Sequence, residues 1–255
     1  MSLRALSRWK AALRALVLQG AWNYDRLQNL GWAFCVEPAL RELYPDPARR
    51  AAALKRHLEI FNTHPYMAGY VLGAALRAES DAAAGLADEE KVAAIKSRLA
   101  PALAAVGDSF FWAALRPAAA FLGIAWLWLA PHPLHLCAPF VFLAAYNLPG
   151  LWLRLHSLEV GWAKGEEVAM HIAGLRLSAA AEGLRRMALV MICALAGALS
   201  RILLPASGQP VPGNKFLFLG VGLTLLLLLR LAVRPAVLMV LCTLGALVLA
   251  MANPN

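Results

Sequence analysis

The sequence predicts an all-α integral membrane protein, with N-terminal amphipathic and broken or re-entrant helices followed by transmembrane helices. Three observations carry that prediction. Hydrophobic residues make up 61% of the chain and charged residues 15%, with a mean hydropathy of +0.61. Beyond position 99 the apolar residues fall in long runs, as they do in bilayer proteins. Before that position the apolar stretches are short and interrupted by glycine and proline.

The chain opens on an amphipathic helix. Leu3, Leu6, Trp9, Leu13, Leu16 and Val17 fall on one side, and Arg4, Arg8 and Arg14 on the other. Lys10 sits at the edge, where it can snorkel. A helix of this kind lies in a membrane interface. It loosely resembles a mitochondrial presequence, yet runs into Gln19-Gly20-Ala21-Trp22-Asn23-Tyr24 without a processing signature, and it does not read as a cleavable signal peptide. Apolar stretches around 29–40 and 66–76 follow. Both are too short to span a bilayer as straight helices, which need about 20 apolar residues. Gly31, Pro38, Pro65, Gly69 and Gly73 break them. Re-entrant membrane helices and core helices of a soluble domain fit such lengths equally. Residues 46–59, with Pro47 near the start, read as a soluble helix. The stretch 79–91 reads as a polar connection, the best candidate for a cytoplasmic link between two halves. The chain thus divides at 1–98, 99–186 and 187–255.

Strongly apolar segments near 110–130 and 136–153 are separated by Pro131-His132-Pro133-Leu134-His135. An amphipathic stretch, 154–186, comes next. Spans follow at about 187–204, 216–229 and 236–252. The loop 154–186 carries Arg154, Lys164, Arg176, Arg185 and Arg186, and the loop between the last spans carries Arg230 and Arg234. Residues 205–214 carry no charge. The positive-inside rule therefore predicts a cytoplasmic N-terminus, an external 205–214 loop and an external C-terminus.

A net charge of +9 fits basic cytoplasmic loops and anionic headgroups. No zinc-finger spacing, RNP-type motif or isolated basic domain accompanies it, so nucleic-acid binding is disfavoured. Cys35, Cys137, Cys193 and Cys242 are scattered in or beside apolar sequence and read as small hydrophobes, with neither disulfide nor metal indicated. His132 and His135 are loop residues whose spacing is weak evidence for a metal. No cofactor site is read.

Two polar knots carry the functional reading. In Phe61-Asn62-Thr63-His64-Pro65, proline disfavours helix in the residue before it and favours a first turn after it. Asn62, Thr63 and His64 should form a break, with a helix starting around Pro65. A helix start offers free N–H groups to a polar ligand; an Asn62 or Thr63 cap is the plainer reading. The second knot is Gly107-Asp108-Ser109, with Arg116-Pro117 beyond it. An ionisable Asp108 in an apolar run is a functional hypothesis by default, set against a cap on a helix starting beside it. Arg116 lies roughly 12 Å further along a helix and is no direct partner. Trp22, Asn23, Gln28 and Asn29 combine ring faces with amides, the mixture a sugar site needs; an interfacial aromatic belt is the alternative. Asn147 is a lone amide better suited to bonding a neighbouring helix than a sugar hydroxyl. Phosphoryl transfer through His64 finds little support, since no phosphate-cradling loop or Lys/Arg cradle accompanies it.

These blocks together resemble the IID subunits of the mannose/fructose/sorbose family of the bacterial phosphoenolpyruvate:sugar phosphotransferase system. The matching stretches are 18–31 (LQGAWNYDRLQNLG), 38–45 (PALRELYP), 54–65 (LKRHLEIFNTHP) and 107–112 (GDSFFW) with Arg116-Pro117. Tyr146-Asn147-Leu148 and Gly161-Trp162-Ala163-Lys164-Gly165 look like later family blocks. The similarity covers about residues 12–170, in order. It implies a non-phosphorylated, non-catalytic multi-pass subunit of the bacterial inner membrane. That subunit would join a IIC subunit in a trimer of heterodimers that conducts a hexose-type sugar. Separate IIA and IIB proteins would carry phosphohistidines and phosphorylate the sugar on entry. The chain departs from the family at 174–178, where a glycine-rich stretch is expected, and at 205–214, which is short.

A regulatory or structural subunit that binds a IIC-like partner without moving sugar is the alternative. A membrane-anchored enzyme is a third class, disfavoured because no nucleophile–base or metal constellation is visible.

Overall fold

The computed structural model describes residues 3–203. The spans expected at 216–229 and 236–252, and the loops 205–214 and 230–235, lie outside the described residues. The chain divides into two units, Met1–Ile192 and Cys193–Asn255; the core, both knots and every contact named here belong to the first.

Among the described residues the regular elements are helices, joined by turns and irregular segments, with isolated bridges linking Leu27 to Asn23 and to Phe61. The helices are α1 Ala5–Arg14, continued by a 3-10 turn Ala15–Val17, α2 Asn29–Leu43, α3 Pro47–His57, α4 Ala68–Ala83, α5 Glu89–Gly107, α6 Arg116–Leu129, α7 Ala138–Lys164, α8 Val168–Gly174 and α9 Leu177–Leu203. A π-helical segment, Asp108–Leu115, joins α5 to α6. α3 begins as the sequence predicts: Asp46 accepts from Arg49 N at 2.8 Å, with Pro47 in the first turn.

α4 is the central helix. Every residue from Ala68 to Leu76 is buried, and α2, α5 and α7 pack around it. Its contact with α7 is backbone to backbone. A Cβ on Gly69 would collide with Ser157, one on Gly73 with the Leu158 carbonyl, and one on Gly161 with the Tyr70 carbonyl. Small residues four apart let two membrane helices approach this closely.

α1 docks polar side down. Glu42 accepts from Arg4 N at 2.8 Å and from the Ser7 hydroxyl, so a carboxylate of α2 satisfies the N-terminus of α1. Arg8 forks onto Glu159 of α7 at 2.9 and 3.0 Å, and Arg14 reaches Glu37 at 2.8 Å. Leu6, Trp9, Leu13 and Val17 are left exposed, the predicted lipid-facing side; Leu3 instead is buried. A helix that ties its arginines to carboxylates of α2 and α7 and leaves Leu6, Trp9, Leu13 and Val17 exposed is oriented for lipid.

Two continuous helical stretches, Glu89–Leu129 and Leu134–Ile192, are long and apolar enough to cross a membrane, and only 28% and 11% of their most apolar windows are buried within the chain. That exposure separates them from soluble core helices. Pro131-His132-Pro133 turns the chain between α6 and α7, and Trp126 Nε1 closes the turn on the Leu134 carbonyl at 2.9 Å. Cys35 is buried as expected, whereas Cys137 at this turn is exposed.

Three expectations need correction. The helix after the first knot starts at Ala68, behind a turn over residues 65–67. The helix does not begin anew at Asp108: the chain is helical from Glu89 through Leu129, only changing to π geometry there, so Asp108 caps no helix. Pro117 supplies no N–H to the preceding turn, and the wider π turn just ahead of it takes up the change of hydrogen-bonding register without a break. Finally, 79–91 is not one polar connection. α4 continues to Ala83 and α5 begins at Glu89, and Glu79 is fully buried.

Candidate functional site

The first knot is held by the amides the sequence reading singled out for sugar. Gln28 Nε2 donates to the Thr63 carbonyl at 2.9 Å and its Oε1 accepts from Thr63 N at 3.1 Å. Asn29 Nδ2 donates to the Leu58 carbonyl at 2.8 Å, and Asn23 Nδ2 donates to Asn29 Oδ1 at 2.9 Å. Leu27, at φ 59°, makes the tight turn that presents them. Gln28 and Asn29 are buried. These three side chains scaffold the extended segment between α3 and α4, spending their bonding capacity inside the chain. Trp22 lies apart, half exposed and edge-on to Tyr24.

Within the knot, Asn62 is exposed while Thr63 and His64 are buried. His64 Nδ1 accepts from Tyr66 N at 3.2 Å, which leaves Nε2 carrying the proton. Burial, and then the charge of Arg154, push its pKa down to about 4, so the ring is neutral. Its Nε2 and the Thr63 hydroxyl are buried with no partner among the described residues. An unmet buried group of this kind costs about 1–3 kcal/mol.

The second knot packs on the first. A Cβ on Gly107 would run into His64; the two polar knots are in van der Waals contact. The π segment lays Phe111 parallel to the His64 ring, 5.0 Å between centroids at 15°, with Trp112 at 4.9 Å. Asp108 is half buried. The Ser109 hydroxyl accepts from Arg185 Nη2 of α9 at 2.6 Å. Arg116 and Trp112 lie near the Tyr146 hydroxyl, and the Tyr146 ring stands 6.1 Å from that of Tyr66. Asn147 is exposed and donates to the Leu143 carbonyl of its own helix at 2.9 Å, so the expected bond to a neighbouring helix is absent among the described residues.

Tyr66, Tyr146 and Arg154 belong to this cluster and were missed in the sequence. Arg154, read there as a loop charge, lies inside α7. Its guanidinium sits 4.6 Å from the Tyr66 ring centroid and donates to the Leu16 carbonyl at 3.3 Å. An arginine next to an apolar run was the signal that could have found it. Tyr66, Phe111 and Trp112 pack on His64, and Tyr146 and Arg154 on Tyr66, which gathers hydroxyls, a guanidinium and a neutral imidazole N–H in one aromatic cluster. Among the described residues no group of His, Cys, Asp and Glu could hold a metal.

A second buried constellation was also missed. Glu79 accepts from Tyr44 OH at 2.7 Å, from Arg56 Nε at 2.8 Å and from His57 Nε2 at 2.9 Å. Lys96 of α5 ties the end of α3 through the carbonyls of Arg56, His57 and Glu59. Every member is satisfied, so this is a clamp joining α2, α3, α4 and α5. The clue was a glutamate in register with the apolar face of α4.

A lipid-exposed, all-helical framework defines the class: a helical membrane protein. The chain belongs to the PTS system mannose/fructose/sorbose family IID component, which it matches over residues 2–253. The mannose-specific EIID component of Escherichia coli K12 is 35% identical over 195 residues, covering 76% of this chain and 68% of that protein. The fructose permease IID component of Bacillus subtilis is 31% identical over 194 residues, covering 76% and 69%. A solved structure described as a membrane protein superposes with a TM-score of 0.71 at 29% identity, covering 99% of this chain and 97% of that one. The cryoEM structure of the mannose transporter ManYZ with microcin E492 gives 0.60 at 29% identity, covering 98% and 96%.

Proposed function

We propose that this chain is one half of a sugar-conducting unit in the bacterial inner membrane, with a IIC subunit as the other half. Sugar of the hexose type passes along the apposed knots and is phosphorylated on entry by IIB, recharged from IIA. The chain itself does no phosphoryl chemistry, and its N-terminus is cytoplasmic. The observation that carries this reading is the meeting of the two knots. Thr63 Oγ1 and His64 Nε2, without a partner among the described residues, lie behind exposed Asn62 and beside the π segment that carries Asp108. π turns recur at functional sites, and a polar break ahead of an apolar helix, as at Asn62–His64, marks the substrate level in transporters. The relatives named for mannose and fructose supply the substrate class. Assembly as a trimer of IIC–IID heterodimers is part of the same proposal.

The test is co-expression with a IIC subunit of the same family. The pair should purify as one complex and support sugar uptake that neither chain supports alone. A complex that forms and never transports, with IIA and IIB present, would favour the regulatory-subunit reading; transport by this chain alone would refute the division of labour.

A further inference from the structure

Two adjoining grooves run across α1, α2 and α3. One, of about 590 Å³, lies between α2 and α3; the other, of about 340 Å³, lies between α1 and α2; Glu37 and Arg41 line both. Arg4, Lys10, Arg14, Arg41 and Arg50 line them against only Glu37 and Glu42. Glu42 is paired to Arg4, and Glu37 to Arg14 and Arg41, so the acidic groups are already spent. Lys10 has no ion-pair partner among the described residues, and Arg50 makes only long contacts to carbonyls at 3.4 and 3.5 Å. The grooves therefore keep unspent positive charge.

That charge lies at the edge of an apolar face. On α1 the exposed Leu6, Trp9, Leu13 and Val17 stand roughly a quarter-turn from Lys10 and Arg14, at about 100° per residue. On α2 the exposed Leu30 and Phe34 lie on the same stripe as Glu37 and Arg41, one and two turns further on. Arg14 bridges the two zones: its guanidinium sits 4.3 Å over the Phe34 ring and also holds Glu37 at 2.8 Å. One continuous surface thus passes from exposed hydrocarbon to unneutralised cation within a few ångströms. That is the polarity profile of a phospholipid, acyl chain then phosphate.

We propose that the α1–α2–α3 groove binds an anionic phospholipid. Its phosphate meets Lys10, Arg41 and Arg50, and an acyl chain lies along Leu13 and Phe34. Basic pockets beside membrane-embedded helices hold anionic headgroups in this way, and the larger groove has the size of a ligand site, ~300–1,000 Å³. A phosphorylated protein loop would use the cations but has no need of the adjoining apolar stripe. The inference rests on the membrane location alone, and a failed lipid titration would leave the transport reading standing.

The full chain in detergent is stripped of lipid and titrated with phosphatidylglycerol or phosphatidylcholine, and retained lipid is counted by native mass spectrometry. Phosphatidylglycerol should be retained about ten-fold more tightly. Lys10→Gln with Arg50→Gln should remove that preference, and Lys55→Gln, on an exposed part of α3 outside the groove, should keep it. If the double variant melts early, Lys10→Gln alone decides, with a loss of about three-fold or more expected from the removal of one charge. Equal retention of both lipids, unchanged selectivity in the variants, or inorganic phosphate or a phosphopeptide competing as tightly as phosphatidylglycerol would each overturn the proposal.

Discussion

The fully buried carboxylate of Glu79 accepts a hydrogen bond from His57 Nε2 at 2.9 Å, while His57 Nδ1 accepts from Trp32 Nε1 at 2.9 Å. The indole proton fixes the imidazole as the neutral Nε2–H tautomer. Burial favours the neutral ring and lowers the pKa of His57, although Glu79 opposes this. Burial alone would raise the pKa of Glu79, but the bonds from His57, Arg56 and Tyr44 hold it at about 2. Removing one partner leaves buried charge uncompensated, so Glu79→Ala should destabilise the protein by about 3–5 kcal/mol. Thermal melting in detergent reads this; a variant melting with the parent would remove the clamp from the account.

Acidification should weaken the same clamp in two steps. Both folded pKa values lie below their ordinary values, so the unfolded chain takes up protons first and stability falls as pH falls. His57 contributes to the loss once pH drops below its ordinary 6.5, and Glu79 adds to it from 4.5 down to about 2. Glu79→Gln, if it folds, should flatten the lower step. A melting temperature that rises between pH 7 and pH 4 would contradict the assignment.

Gly73 has no room for a side chain against Leu158 and Gly161, whereas nothing among the described residues lies within 4 Å of a Cβ on Gly174. Gly73→Val should therefore separate α4 from α7 and cost more than about 3 kcal/mol, the upper end of ordinary overpacking. Gly174→Ala should stay within about 0.5 kcal/mol of the parent. Equal stability of the two variants would refute the close α4–α7 crossing.

Much of this architecture is legible in the sequence because it follows from local chemistry. Asp46-Pro47 starts α3, Pro131-His132-Pro133 turns the α6–α7 hairpin, and the period of Leu6, Trp9, Leu13 and Val17 marks the exposed face of α1. The break at Asn62-Thr63-His64 follows from Pro65. What sequence could not show depends on partners distant in the chain. Gln28 resembles a ligand residue until Thr63 arrives beside it, and Glu79 a loop residue until Tyr44, Arg56 and His57 surround it. Asp108 resembles a cap because glycine and serine flank it, yet Pro117 nine residues on produces a π segment instead of a break. Arg154 looks like a loop charge unless α7 is known to run on to Lys164.

Exposed Cys137 and buried Cys35 test the topology. With Cys193 and Cys242 replaced by serine, a membrane-impermeant maleimide should label Cys137 from outside the cell and leave Cys35 unlabelled until the protein is unfolded. The external position follows from the proposed cytoplasmic N-terminus, since the α6–α7 turn would lie across one span from it. Labelling of Cys137 only in inverted vesicles would reverse the orientation, and a cysteine introduced at 208 should follow the same side.

The central claim is that the apposed knots border the sugar path, and sugar uptake by the assembled IIC pair measures it most directly. Asp108 has no ion pair among the described residues and Asn62 is exposed beside the orphaned Thr63 and His64. Asp108→Ala should abolish uptake and Asn62→Ala should lower it about ten-fold, the effect of losing one hydrogen bond to an uncharged ligand, with assembly intact. His64→Gln, which keeps an N–H donor, should be far milder. Normal uptake by Asp108→Ala in an intact complex would contradict the account, and loss of sugar phosphorylation in His64→Gln with binding preserved would return phosphoryl transfer to His64.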